Sequence, residues 1–299
     1  MAEASTLCKF LNGLFVVYKP AGQTFHNVRS KILHNLCRDL NSLHARPPSK
    51  RIDIKRTELV SNPYKIMVSN SFSDLTIATG PRYQMVDFKC VAAKNIGKIS
   101  SGVLLMGIDR DGICKALHIR NNASLRTYRV TGKLGSSTEN NLCNSRVVER
   151  AKFDHIYVEK LTELISSLQG SHQRKAFEQC QIDLQSQVAY DVAVGGPILP
   201  PSRLPIIHNI KCLEFRKPYF TLEISSANET EDYLAKLIYE IGLNLQTVAH
   251  CVKITCIRHG IFTIDDSLTR ENWNIEKIIS NMALCNKKLA IKPDMIKPI

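Results

Sequence analysis

Short apolar runs typical of β-strands alternate along the chain with stretches whose apolar residues recur at helical spacing. Continuous or alternating apolar residues predict strands at residues 14–18, 101–108, 128–134, 252–257 and 261–264. Apolar residues spaced three or four positions apart predict helices at 27–36, 112–119, 158–168 and 233–241, with one more after Trp273. We therefore predict an α+β fold with a central mixed or antiparallel sheet flanked by helices.

Glycine and proline mark where several of these elements end. The first strand is predicted to stop at the segment KPAG (19–22), because proline removes a backbone donor and glycine permits a turn. The two long helices in the second half are predicted to end at Gly170 and Gly242, which suit a C-terminal cap. The last two strands are predicted to form a hairpin through residues 258–260.

Two segments are basic enough to suggest contact with phosphates. Residues 44–56 (HARPPSKRIDIKR) contain Pro47 and Pro48, which exclude a regular helix, so we predict an exposed loop that follows a phosphate backbone. A solvated linker without any partner fits this composition equally well. Residues 287–299 are predicted to form a basic tail.

Composition supports a globular chain with a polyanionic partner. The 299 residues are 44% hydrophobic, which is enough for a sizeable core. Lysine and arginine exceed aspartate and glutamate by 40 − 27 = 13, which favours nucleic acid, although many basic proteins bind nothing acidic. No apolar run approaches the roughly 20 residues that cross a bilayer.

The ten cysteines are scattered, and none forms a C-x-x-C pair. This pattern indicates reduced thiols rather than a disulfide framework or a zinc site. The chain also has no glycine-rich phosphate loop and no cluster with metal-ligand spacing, so we predict neither a metal nor an organic cofactor.

Several motifs occur in an order that matches one enzyme family. They are GLFVVYKPAG (13–22), IGKISSGVLL (96–105), RTYRV (126–130) with LGSSTE (134–139), GSHQ (170–173), AYDVAVGG (189–196), LEI (222–224), EIG (240–242) and RHGIF (258–262). Together they resemble TruB-type pseudouridine synthases, and most closely the mitochondrial TruB-like branch of animals. The resemblance implies one catalytic-type domain over residues 1–299, with too little chain after Trp273 for an additional C-terminal RNA-binding domain.

The resemblance also implies partners and a compartment. They are mitochondrial mRNA, tRNA or rRNA in the matrix, possible involvement of ribosome assembly proteins, and a reaction that needs no cofactor. The first twelve residues carry one lysine and no arginine, so they make a weak presequence, and the mitochondrial placement depends on the resemblance.

The resemblance carries three site residues onto this chain, and two of them are absent. In the family an aspartate attacks the flipped uridine, a tyrosine stacks on the base and an arginine pairs with the aspartate. These positions correspond here to Gly97, Tyr128 and Ala235. A buried arginine without its carboxylate would cost about 3–5 kcal/mol, so the paired loss is physically consistent. We therefore predict an RNA-binding protein that has lost uridine isomerisation.

Three alternatives remain open at the level of sequence. The first is a motif register displaced at Gly97. The second is a loop that folds back so that Asp87 replaces the lost aspartate, since Asp109 would lie some 25 Å away beyond the strand. Either case would give an active mitochondrial mRNA or tRNA pseudouridine synthase. A protein-interaction scaffold that binds no RNA is the third interpretation.

The remaining candidate residues each have a functional and a structural interpretation. Tyr128 is either a base-stacking platform or a core residue, and Lys19 either meets phosphate or ends a strand. His172 and Tyr190 are weaker candidates for RNA contact. The densest basic neighbourhood would neutralise several phosphates if it shared one face, and otherwise is solvated; it comprises Arg110, Lys115, His118, Arg120, Arg126, Arg129 and Lys133.

Overall fold

A computed structural model describes residues 4–43, 49–56, 64–122, 124–195 and 204–291. Its helices are α1 (Ala4–Phe10), α2 (Phe25–Asn41), α3 (Thr76–Thr79), α4 (Asp109–Asn121), α5 (Val158–Gln179), α6 (Gln187–Gly195), α7 (Glu231–Asn244) and α8 (Ile275–Ile291). Its strands are β1 (Gly13–Lys19), β2 (Lys50–Arg56), β3 (Tyr64–Asn70), β4 (Cys90–Ala92), β5 (Ser101–Ile108), β6 (Arg126–Leu134), β7 (Ser136–Thr138), β8 (Val147–Arg150), β9 (Ile206–Arg216), β10 (Tyr219–Ala227), β11 (Ala249–His259) and β12 (Phe262–Thr263).

The main sheet is mixed, as predicted. Its strands follow the order β1-β5-β11-β6-β10-β9, with β4 added beside β5 and β12 beside β11. Among the described strands of this sheet, only the β5–β11 pairing is parallel. Helix α7 packs on β11, α4 on β5 and β1, α8 on β1, and α5 on β9. The predicted α+β class, with a central sheet flanked by helices, is confirmed.

The core lies around β1 and β5. All eight residues of β5 are buried, so this strand is covered on both faces. β1 is antiparallel to β5, with Gly13 opposite Ile108 and Lys19 opposite Gly102. This pairing brings the end of β1 and the start of β5 together, and the candidate site is built at that junction.

The two faces of β6 have different environments because successive side chains of a strand point to opposite faces. Tyr128 and Val130 lie on the face covered by α7, where a Cβ at Gly132 would contact Ile238. Arg129 points to the other face and is exposed. The sheet therefore has one packed face and one solvated face at this strand.

The predicted basic loop at 44–56 is partly a strand. Residues 44–48 lie outside the described residues, while Lys50–Arg56 forms β2 and pairs with β3, with Ile52 opposite Val68. The alternation of Ile52 and Ile54 with charged residues fits the two-residue period of a strand, and both prolines precede it. The basic side chains are exposed, as expected, but they lie on a hairpin rather than on a loop.

Four other predicted boundaries are wrong, beginning with α7, which passes through Gly242 and ends at Asn244. Helix α5 passes through Gly170 and ends at Gln179, because glycine inside a helix costs only about 1 kcal/mol and Ala176 is buried in a later turn. Strand β11 extends to His259, so the hairpin turns at Gly260 and Ile261, and β12 has two residues. The predicted tail begins inside α8, while residues 292–299 lie outside the described residues.

Across the described ranges, no helix combines the length and hydrophobicity needed to span a bilayer. All ten cysteines are free thiols, and five of them are buried. Burial raises the pKa of the Cys90, Cys251, Cys256 and Cys285 thiols to about 12, so these four stay protonated near neutral pH.

Candidate functional site

The loop that contains Gly97 joins β4 to β5 and is fixed by a close approach of two strands. Ser101 and Gly102 at the start of β5 pair with Thr255 and Cys256 of β11. Gly102 has a φ of +116°, and a Cβ there would lie under 3.0 Å from the backbone of Cys256. Only glycine fits this position, so the motif's serine-glycine step holds the loop at a defined point beside the sheet.

Glu231 fills the space beside Gly97. It is the first residue of α7, whose N-cap Thr230 accepts a hydrogen bond from the backbone N–H of Tyr233 at 3.2 Å. A Cβ at Gly97 would lie under 3.0 Å from the carboxyl group of Glu231. Glu231 Oε2 accepts hydrogen bonds from the Ser100 backbone N–H at 2.5 Å and from Ser100 Oγ at 2.6 Å. A carboxylate from another element thus occupies the region that an aspartate side chain would enter.

Sequence patterns did not identify Glu231, because 131 positions separate it from Ser100. The stand-in considered from the sequence was Asp87, which has a different role. Asp87 Oδ2 accepts a hydrogen bond from the backbone N–H of Gln84 at 2.8 Å and closes its own short 3-10 turn. The carboxylate near Gly97 therefore comes from α7 and not from the segment before the loop.

Of the two interpretations of Lys19, contact with phosphate or the end of a strand, the structure agrees with the second. Its side chain is fully buried, and Nζ donates to the carbonyl oxygens of Ser100 at 2.6 Å, Gln23 at 2.7 Å, Pro20 at 3.1 Å and Lys98 at 3.3 Å. Burial lowers the pKa of Lys19 to about 8, and the nearby Glu231 carboxylate opposes that shift. Lys19 therefore joins the turn after β1 to the loop before β5.

A buried charged cluster lies next to this loop, on the α7 side of the sheet. Arg126 on β6 forms an ion pair with Glu229, in the segment between β10 and α7, and both side chains are almost completely buried. Tyr128 OH donates to Glu229 Oε1 at 2.9 Å. Arg126 Nη1 also donates to the carbonyl oxygen of Asn95 at 3.3 Å, which ties the cluster to the loop.

In the structure Tyr128 agrees with its core interpretation, and Arg126 does not make the predicted contact with RNA. Tyr128 is only 3% exposed, so its ring is a core residue here and not an open platform for a base. Burial raises the pKa of Tyr128 well above its usual value, which keeps the phenol protonated as a donor to Glu229. Arg126 is paired and buried, so it does not contact solvent phosphate. Burial alone would lower the pKa of Arg126, but the charge and hydrogen bond of the Glu229 carboxylate oppose this, and the pKa is raised.

The cluster is incompletely satisfied. Within the described residues, Glu229 Oε2 and Arg126 Nε are buried and have no hydrogen-bond partner. Burial and the Arg126 charge lower the pKa of the neighbouring Lys94 to about 8, and Glu229 opposes this shift. A buried pair of this kind contributes little net stability while intact, because desolvation offsets the attraction, but removing one partner is costly.

Ala235, at the position that corresponds to the family's arginine, is completely buried in α7. It carries no charge toward Gly97. A carboxylate–guanidinium pair nevertheless exists nearby as Glu229 with Arg126, on residues that the sequence resemblance did not link. No local pattern connects two residues 103 positions apart, so this pair follows only from tertiary structure.

The other predicted residues are spread over three places. Arg129 is exposed on the solvated face of the sheet. His172 is half-buried on α5, with Nε2 3.5 Å from Tyr233 OH, and burial lowers its pKa, so the imidazole is neutral. Tyr190 on α6 is 66% exposed. Their predicted contacts with RNA remain predictions.

The dense basic neighbourhood does not form a single surface. Arg110, Lys115, His118 and Arg120 lie on α4, where Arg120 Nε donates to the carbonyl oxygen of Ala93 at 3.0 Å. Arg126 is buried on the packed face of the sheet. Only Arg129 and Lys133 point to the solvated face, because odd-numbered positions of β6 share that side.

The register of the sheet gathers a different basic surface, which we call the basic sheet face. Arg129 lies opposite Thr255 and Glu223, Lys211 lies opposite Glu223, and Lys253 lies opposite Thr131. Each of these cations is exposed. The surface comprises Arg129, Lys133, Lys211, Lys253 and Arg258 from β6, β9 and β11. It was missed in the sequence because its members come from three strands.

Restoring an aspartate at position 97 is expected to conflict with Glu231. Gly97→Asp should lower the free energy of unfolding by about 1–3 kcal/mol, because the new side chain overlaps the Glu231 carboxyl group. Adding Glu231→Ala should recover part of this loss, with a coupling of about 0.5–3 kcal/mol in urea unfolding. Gly170→Asp, where a Cβ meets nothing within 4 Å, is the control and should show no coupling with Glu231→Ala. Additive effects at position 97 would contradict the overlap.

Breaking the buried pair should be far more damaging than breaking an exposed one. Arg126→Met leaves the Glu229 carboxylate buried and unpaired, so urea unfolding should show a loss of about 3–5 kcal/mol. Arg216→Met removes the partner of Glu214, where the side chains are 85% and 54% exposed, and should change stability by under about 1 kcal/mol. Similar losses in the two variants would refute the burial argument.

Comparison with known proteins identifies the family. The model of the TruB family pseudouridylate synthase N-terminal domain matches residues 96–231, which include the Gly97 loop and both glutamates. Pseudouridylate synthase TRUB2, mitochondrial, of Xenopus tropicalis is 36% identical over 285 residues, covering 92% of this chain and 86% of that protein. The Homo sapiens protein of the same name is 34% identical over 275 residues, covering 90% of this chain and 82% of that protein.

Among solved structures, the archaeal box H/ACA sRNP Nop10–Cbf5 complex contains a chain similar to this one. The match has a TM-score of 0.49 and 13% sequence identity, and covers 94% of this chain and 58% of that chain. The present chain therefore spans less than two thirds of that solved chain. The sequence relationships over some nine tenths of the chain are decisive. The chain belongs to the TruB family of pseudouridine synthases, on the branch of the animal mitochondrial TRUB2 proteins.

Proposed function

We propose that this protein binds RNA and does not convert uridine to pseudouridine. The observation that carries the proposal is the state of position 97, where glycine supplies no nucleophile and Glu231 fills the adjoining space. Pseudouridine formation detaches uracil from ribose and rejoins it through carbon, so a carboxylate oxygen must reach the reacting atoms with defined geometry. The family's aspartate and arginine are both absent, at Gly97 and Ala235.

The surroundings of Gly97 support a closed site. Glu231 Oε2 already accepts two hydrogen bonds from Ser100, so holding it in an attacking position would require breaking them. Tyr128 is buried and donates its hydroxyl to Glu229. An extruded base needs an open pocket to stack in, and the ring that would form its wall is packed in the core.

RNA binding is supported by charge and its placement. The chain has a formal net charge of +13, and the basic sheet face presents five cations on one solvated surface. Cations on a shared surface release condensed counterions when they meet phosphates, which favours a nucleic-acid strand over an isolated anion. Glu223 is the acidic residue between Arg129 and Lys211 in the register.

The RNA is proposed to be mitochondrial. The TRUB2 relatives are named as mitochondrial proteins, which supports a mitochondrial location for this chain. We assign it to the matrix, with mitochondrial mRNA, tRNA or rRNA as its partner. A role in mitochondrial ribosome assembly is a hypothesis that follows from RNA binding without turnover.

A second candidate function is an active pseudouridine synthase, and one observation favours it. Glu231 places a carboxylate beside the position of the family's nucleophile, and its Oε2 rather than Oε1 makes the bonds to Ser100. In that case the Glu231 carboxylate would act as the nucleophile in place of the missing aspartate. A scaffold that binds no RNA is the third possibility, and RNA retention at low ionic strength separates it from the other two.

Purified protein incubated with uridine-labelled transfer RNA should form no pseudouridine. The wild-type chain is compared with Glu231→Gln, which removes the carboxylate while keeping the shape of the side chain. Turnover by the wild type that disappears in Glu231→Gln would replace the first proposal with the second candidate. Turnover that survives in Glu231→Gln would assign the chemistry to another carboxylate and would also end the proposal of inactivity.

RNA affinity should depend steeply on salt through the basic sheet face. In anisotropy titrations with single-stranded RNA, Arg129→Gln/Lys253→Gln should weaken binding and make the slope of log affinity against log salt shallower by roughly 0.7 per lost contact. Lys31→Gln/Lys277→Gln, which changes exposed lysines on α2 and α8, is the charge-matched control and should leave the slope unchanged. Equal effects of the two pairs would refute the assignment of this face.

A further inference from the structure

A cleft lies at one end of the basic sheet face and has no role in the site around Gly97. Its volume is about 590 Å³, and it is bounded by α5 and by the solvated face of the sheet. Thr127, Ser225 and Asn209 lie opposite one another on β6, β10 and β9, so they share the face that points away from Tyr128. The sheet therefore separates this cleft from the buried Arg126–Glu229 pair.

The lining is rich in neutral hydrogen-bonding groups. Amides, an imidazole, two hydroxyls and one guanidinium converge, from Gln169, Gln173, His208, Asn209, Thr127, Ser225 and Arg258. Among the described residues, no carboxylate lines the cleft. A site for a simple anion, one that carries no nucleobase, would be expected to contain more than one cation. Neutral amides instead suit a neutral group that offers both hydrogen-bond donors and acceptors.

Several of these groups have spare hydrogen-bonding capacity. Within the described part of the chain, the side chains of Gln173, His208 and Asn209 have no hydrogen-bond partner, although all three border the cleft. Gln169 Oε1 accepts from the backbone N–H of Ile210 at 3.3 Å, which orients its NH₂ as a donor. Burial lowers the pKa of His208, so its neutral ring offers one donor and one acceptor.

The remaining walls suit a flat ring. Leu125 and Ile261 add apolar surface on which the ring faces can pack. A nucleobase combines two apolar faces with an edge of alternating donors and acceptors, and asparagine and glutamine amides pair with such edges. The volume lies within the range of pockets that enclose ligands of nucleotide size.

Arg258 connects the cleft to the basic surface. Its Nη2 donates to Thr127 Oγ1 at 3.2 Å, which fixes the guanidinium at the rim, while the side chain remains exposed. Arg129 and Lys211 lie two residues along their strands from the lining residues Thr127 and Asn209, on the same face. A base in the cleft would therefore have its own phosphate near Arg258 and neighbouring phosphates near these cations.

We propose that this cleft receives a single nucleobase from an RNA strand that lies across the basic sheet face. The amides of Gln173 and Asn209 and the imidazole of His208 pair with the edge of the base, and Arg258 contacts its phosphate. This inference rests on the proposed RNA binding and deepens it. It gives the basic sheet face a site that distinguishes a nucleotide with a base from an abasic nucleotide. No covalent step is involved.

The test combines protein variants with abasic RNA. Anisotropy titrations use a short fluorescein-labelled single-stranded RNA and a set of copies in which one position at a time lacks its base. Wild-type protein should lose roughly tenfold in affinity when the base at one position is removed, a loss typical of a well-paired base. Gln173→Ala/Asn209→Ala should bind the intact RNA roughly tenfold more weakly, and that abasic position should cost this variant nothing further.

The matched control is Gln185→Ala/Asn27→Ala, which removes two exposed amides that do not line the cleft and should leave every affinity unchanged. The abasic scan of the wild type needs no variant, so it decides the question even if the double variant does not fold. Equal affinity for all abasic copies would overturn the base pocket while leaving RNA binding intact. Failure of the wild type to retain any RNA at low salt would overturn the proposed function itself.

A competition experiment distinguishes an RNA strand from a free nucleotide. Nucleoside monophosphates should displace the labelled RNA only at concentrations far above that of an unlabelled oligonucleotide, because they lack the neighbouring phosphates. Displacement at comparable concentrations would overturn the strand as the source of the base and make the cleft a mononucleotide site.

Discussion

The arrangement of the site depends on Ser100, which is held by hydrogen bonds to Lys19 on one side and to Glu231 on the other. Its carbonyl oxygen accepts from Lys19 Nζ, and its backbone N–H and hydroxyl donate to Glu231. These bonds join the end of β1, the loop before β5 and the start of α7, which are distant in sequence. Burying the Lys19 ammonium costs free energy, and its hydrogen bonds to four carbonyl oxygens offset that cost. Because these bonds form only in this geometry, they hold the loop in one position. The space beside Gly97 is consequently defined and occupied.

The sheet separates two kinds of charge. On its packed face, Arg126 and Glu229 are removed from water and must stay paired, because either charge alone would be costly there. On its solvated face, cations such as Arg129 and Lys253 are exposed and remain hydrated, so they are available to a polyanion. Strand alternation alone assigns each residue of β6 to one face or the other, and thus to a structural or a binding role.

Membership of the TruB family does not by itself decide whether this chain is active, because activity depends on the residues of its site. The close approach of two strands at Gly102 fixes the loop that carries Gly97. Gly97 and Ala235, which the sequence resemblance places at the family's nucleophile and arginine, offer neither a carboxylate nor a guanidinium. Two glutamates from the segment before and at the start of α7 now contact Tyr128 and Ser100. A fold can persist through such changes because core packing and chemistry depend on different side chains.

The sequence alone determined most of the secondary structure and the family. The strand at 101–108, the helix at 233–241 and the motif order all follow from local periodicity or from residues close together in the chain. It also showed that position 97 has no carboxylate.

Tertiary structure decided which side chains are buried and what lies beside position 97. The burial of Lys19 and Tyr128, and the approach of Glu231 to the loop, depend on strand pairing and helix packing between segments far apart in the chain. The basic sheet face likewise exists only because the register aligns three strands. Local sequence cannot specify such contacts, since periodicity fixes the face of a residue but not the partner across from it.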